Sequence, residues 1–154
     1  QIFVTRKQSI NDSLDQRIMI ESDKLKGSIM LQGARFDDLE LLQYKETIDE
    51  DSPHIKLLSP IKTFDHYFID FGFLSSDRKI DLPNSKTIWK ADSYLLTPEN
   101  PITLSWLNSN NILFQIKISL DQNYMFEIEK IITNNSKADI TIASFGRINR
   151  HLKS

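Results

Sequence analysis

The sequence predicts an antiparallel all-β sandwich, and three observations carry that expectation. Short apolar runs with a period of two recur at spacings of about ten residues, separated by turn-forming Asn, Asp, Ser, Pro and Gly. Isoleucine occurs 21 times and alanine four times; β-branched side chains suit a pleated surface, whereas alanine favours helices. No stretch shows the 3.6-residue apolar rhythm of a surface helix. About eight to ten strands in two packed layers therefore account for the chain.

Taken in order, residues 1–17 are rich in Gln, Asn, Ser and charge and read as a linker, with Ile2, Phe3 and Val4 as the remnant of an upstream apolar element. A short strand follows at 17–21, with Ile18 and Ile20 on one face. The run from Leu25 to Gln32 alternates, setting Ile29 and Leu31 against Ser28 and Met30. Gly33 interrupts it, as at a bulge or tight bend that admits no Cβ. Residues 35–38 read as a polar corner, before Leu39, Leu41 and Leu42 resume an apolar segment.

Residues 45–53, with Glu46, Asp49, Glu50 and Asp51, read as a solvated acidic loop, because no glycine-containing calcium-loop spacing accompanies the acids. Residues 55–58 form a short strand stopped by Ser59 and Pro60. In 66–74, Tyr67, Ile69, Phe71 and Phe73 share one face, which belongs between two sheets. Residues 75–85 form a polar loop; Trp89 anchors 87–94; and 97–101 is a second break before Ile102, Leu104 and Trp106.

Asn108 to Asn111 signals a hairpin, since asparagine tolerates positive φ better than other non-glycine residues. Residues 112–120 are the cleanest amphipathic strand, and Tyr124, Phe126 and Ile128 form the next. Ile140 and Ile142 mark the last clear strand, and 145–154 is basic without strong pattern. The sandwich is thus expected over 18–150, with a tail at 151–154.

Composition narrows the function. A net charge of −2 and a pI near 5.9 provide no electrostatic case for nucleic acid or an anionic membrane surface. Without cysteine there is neither a disulfide nor a thiolate metal site. No run approaches the roughly 18 apolar residues of a membrane span. The start at Gln1 reads as a processed chain, an excised domain or a fragment.

Chemistry is hard to find. His54, His66 and His151 are scattered and match no two-histidine metal spacing, so no metal or other cofactor is expected. Four glycines nearly exclude a phosphate loop, and G-x-S-x-G is absent. Asp37 and Asp38 are adjacent, and neighbouring acids on a strand normally diverge. Trp89, Tyr94 and Trp106 are the candidate binding surface, as aromatics that stack on sugars in carbohydrate-binding sandwiches; each also sits where a core or rim aromatic is expected. No catalytic residue is assigned, which favours scaffolding or interaction.

Ordered blocks along the chain resemble a known family. They begin with Gly27, Ile29, Leu31, Gly33, Ala34, Arg35, Asp37, Asp38, Leu39, Leu41 and Tyr44, and continue through Leu57 to Pro60 and Tyr67, Phe68, Phe71, Gly72 and Phe73. Leu82, Pro83, Thr87 and Trp89 follow, then Leu96 to Pro98 and Pro101 to Trp106 with Asn108. The series ends with Phe114, Ile116, Ile118 to Asp121, Tyr124 to Phe126, Asn134, Phe145, Gly146, Ile148 and Arg150. Together they resemble the periplasmic domain of the YidC family of bacterial inner-membrane protein insertases, in its alphaproteobacterial form. Leu107 and Ser109 depart from it, standing where the family usually has an acidic residue and a glycine.

The resemblance implies a β-supersandwich, galactose mutarotase-like, following a first membrane anchor on the periplasmic face of the inner membrane. It implies a non-catalytic domain supporting insertion and folding, with nascent inner-membrane proteins and Sec translocon subunits as partners through the full-length protein. A carbohydrate- or peptide-binding sandwich is the alternative. A mutarotase-like enzyme is a weaker one, because His54 and His66 lack a family-matching partner for acid–base work. Family domains also continue beyond Arg150, which predicts an exposed sheet edge or apolar face and an isolated chain that is marginally stable or self-associates.

Overall fold

Strand parity explains the architecture of the computed structural model, which describes residues 2–151. Of the tail assigned to 151–154, all but His151 lies outside the described residues. After a short helix, α1 (Arg6–Asp12), and a 3-10 turn (Leu14–Gln16), eleven strands follow: β1 (Arg17–Glu21), β2 (Leu25–Met30), β3 (Arg35–Lys45), β4 (His54–Leu58), β5 (Tyr67–Ser75), β6 (Lys90–Ala91), β7 (Leu95–Leu96), β8 (Ile102–Leu107), β9 (Ile112–Leu120), β10 (Phe126–Asn134) and β11 (Ile142–Arg150). The larger sheet runs β11-β5-β3-β2-β1-β7, with β4 also on β3; the smaller runs β10-β9-β8-β6. Every pairing is antiparallel except the short β1–β7 contact. The expected all-β sandwich is what forms.

The core lies between the sheets. Ile112, Phe114, Ile116, Ile118 and Leu120 of β9 face inward at every second position, opposite Ile18, Ile20, Leu25 and Ile29 of the larger sheet. Phe73 meets Phe114 edge-on at 5.2 Å between ring centroids, the geometry favoured by ring quadrupoles. Gly33 takes φ of +79° and Ala34 +50°, so the β2–β3 link is a left-handed bend at the expected place. Asn111, at φ +62°, closes the β8–β9 hairpin, while Asn108 Oδ1 accepts from the backbone N–H groups of Asn110 and Ile112.

Three expectations need correction. Residues 35–38 are not a corner: they open β3, a single strand from Arg35 to Lys45. Residues 6–16 are helical where a linker was expected; α1 buries no residue, so it leaves no apolar stripe to read, and Thr5 caps it by accepting from Gln8 N. Finally, the last strand is not centred on Ile140 and Ile142: it spans Ile142–Arg150, and Ile140 lies before it. β11 is an edge strand exposed along most of its length, so its two faces carry no hydrophobic contrast.

Candidate functional site

The expected aromatic surface divides. Trp89 is 2% exposed, with its ring 6.4 Å from Phe73; Trp106 is half-buried beside Phe114 at 5.7 Å. The two tryptophans adjoin the Lys90–Ser105 pair of the smaller sheet on the same side and join the core. Tyr94, in the link between β6 and β7, is 61% exposed, and only its carbonyl is engaged, by Met19 N. Among the histidines, His66 and His151 stack at 5.6 Å, while His54 lies 3.9 Å from Glu40. No group of three potential metal ligands occurs among the described residues.

The densest polar constellation lies on the outer face of the larger sheet, under α1. Its origin is a β-bulge. Ser28 pairs with Asp38 but Ile29 pairs with Phe36, so Asp37 is the extra residue on β3. The irregularity shifts side-chain parity: Phe36 and Leu39 enter the core, while Asp37 and Asp38 both engage the polar groups on the outer face. An unbroken strand would have sent one of the two carboxylates in among the isoleucines. Gly27 lets the strands approach closely here, since a Cβ at that position would stand 2.0 Å from the Asp38 carbonyl oxygen.

Arg17 is the hub. Its parity is opposite to that of Ile18 and Ile20, and its guanidinium pairs bidentately with Asp37 at 2.6 and 3.1 Å, both side chains being 2% exposed. It also donates to Ser28 Oγ at 3.2 Å and, through Nε, to Ser13 Oγ at 2.8 Å. Ser28 in turn donates to Asp38 at 2.5 Å. Arg6 of α1 completes the network, donating to Asp38 (2.5 Å), Glu40 (3.0 Å) and the Leu58 carbonyl (3.1 Å). Burial pushes the Asp38 carboxyl above its ordinary value, outweighing the lowering by Ser28, Arg6 and Arg17. The arrangement is a lock between the N-terminal helical segment and the centre of the sheet. Sequence reasoning missed it because adjacency of the two acids argued for divergence. The usable signal was Arg17, placed directly before two core isoleucines.

Further along the same outer face, Asp70 accepts from Arg147 at 3.0 and 2.9 Å and from Asn149. Arg35 lies over the Phe68 ring, 5.1 Å from its centroid.

Fold and site together define a two-sheet β-sandwich domain with a charge-locked N-terminal segment. A family model described as the YidC periplasmic domain matches residues 17–154, and the chain belongs to that family. Among curated proteins it is similar to the membrane protein insertase YidC of Rickettsia bellii, 47% identical over 134 residues, which cover 87% of this chain and 24% of that protein. It is also similar to the same-named proteins of Rickettsia prowazekii (47% over 135 residues, 88% of this chain and 24% of the relative) and Rickettsia rickettsii (45% over 139 residues, 90% and 25%). The chain thus spans about a quarter of the length of the curated relatives it matches.

Proposed function

We propose that this chain is the sandwich part of a YidC-type insertase, lying on the periplasmic face of a bacterial inner membrane. Its role is non-catalytic: it supports insertion and folding of inner-membrane proteins as a scaffold or interaction surface. Its partners, through the whole protein, are nascent membrane proteins and Sec translocon subunits. The observation that carries this reading is the family match across residues 17–154.

No helix among the described residues is long and apolar enough to cross a membrane, so insertion itself is assigned to no residue here. The test is fractionation of the source cells, probed with an antibody raised against residues 18–150. The expected result is an inner-membrane band several times larger than 17.9 kDa, protease-accessible only after spheroplasting. A soluble band near 17.9 kDa would remove the insertase role.

A further inference from the structure

Beneath the N-terminal helical segment, between it and the link from β4 to β5, lies a cavity of about 240 Å³. Arg17 and Asp37 form part of its wall, and their charges cancel. Lys62 and Asp12, both exposed and of opposite charge, also line it. Arg35 is left over. It lines the cavity, and among the described residues it has no carboxylate partner. Its Nε is shut away from solvent without any hydrogen-bond acceptor, alone in this among the described buried side-chain atoms. Arg35 as a whole is half-buried, and the cost falls on this one enclosed N–H, which has lost water without gaining an acceptor. The Phe68 ring beneath it stabilises the cation only in part and supplies no acceptor in the guanidinium plane.

Two further donors border the same space. The Ser9 hydroxyl of α1 and the Gln32 carboxamide from the β2–β3 link line the cavity, and neither side chain is engaged in a hydrogen bond among the described residues. Polar residues from a helix, a bend and a strand thus border one volume. That suits a tetrahedral oxoanion better than a planar carboxylate, and the fork of Arg35 matches two of its oxygens.

We propose that this cavity is a phosphate-binding site, with Arg35 as the charged anchor and Ser9 and Gln32 as additional donors. The phosphate is either free or carried by a phospholipid headgroup. Ile61 (42% exposed) lines the cavity, and Phe64 (50%) lies nearby on the same link, so the entrance offers an apolar margin to a headgroup.

The experiment is a titration of the 154-residue chain, labelled with ¹⁵N, with inorganic phosphate and, in parallel, with phosphatidylglycerol vesicles, against chloride at matched ionic strength. The expected result is a saturable shift of the Ser9, Gln32 and Arg35 amides in at least one arm. Arg35→Met should weaken it about tenfold or more, as loss of a charge-assisted bidentate pair does. The double variant Ser9→Ala/Gln32→Ala keeps Arg35 and should weaken it by about threefold, which retains a test if Arg35→Met does not fold. A response to phosphate identifies the free anion; a response to vesicles alone identifies the headgroup. Silence in both arms, or responses equal in wild type and variants, overturns the proposal.

Discussion

At the scale of single residues, the lock between Arg17 and Asp37 is the feature on which most depends. A buried ion pair need not add net stability over well-packed apolar residues, but removing one partner strands a charge. Arg17→Met should therefore cost about 3–5 kcal/mol in urea unfolding, whereas Arg17→Met/Asp37→Leu should recover most of the loss. Near-additive losses in that cycle would show that the two side chains act separately. Asp38 makes a second test through pH. Its folded pKa lies above its unfolded one, so its stabilising contribution is complete below the ordinary aspartate value and is lost as pH rises through the folded value. Compared with wild type, Asp38→Asn should lack this acid-side component, and the difference between their urea midpoints should change across that interval. A pH-independent difference would show that the carboxyl titrates alike in both states.

At the scale of elements, the bulge in β3 decides which side chains meet. Gly27→Ala places a methyl group against the Asp38 carbonyl oxygen, a backbone atom that cannot swing aside. It should cost about 3 kcal/mol and speed exchange of the amides around Asp38. Unchanged exchange there would place the bulge elsewhere. The strands whose two faces differ, such as β9 with its buried isoleucines, were legible from sequence because burial writes a period of two. β11 was not, since its outer-face neighbours are Arg147 and Asn149 on Asp70 and Phe145 over Gly72, contacts that polar and apolar residues serve alike. Nor was α1, which is held by Arg6 and not by an apolar stripe. Of the aromatics singled out at first, Trp89 and Trp106 were also read as possible core residues, and they pack there. The Arg17 network escaped notice because a single inserted residue reverses the parity on which strand reading depends.

At the scale of the whole molecule, β10 and β11 each have one hydrogen-bonded neighbour, so each is an edge strand of its sheet. Lys130 of β10 lies over the Phe71 ring of β5 at 5.2 Å, and burial pulls its ammonium below the ordinary value. Charged residues along the two strands restrain edge-to-edge pairing without blocking it. The isolated chain should therefore self-associate as its concentration rises, as read by sedimentation velocity; a monomeric unfolding transition independent of concentration would refute this. The lock has a mechanical consequence as well. Tension drawn through Val4 breaks its amide bond to the Lys62 carbonyl, then loads Arg6 and strips residues 6–16 from the sheet, releasing roughly 20 Å of slack as helix becomes extended chain. The pull then arrives at Arg17, whose bonds to Asp37 and Ser28 load together and whose strand is paired on both sides. The domain would behave as a short, soft spring ending in a hard stop.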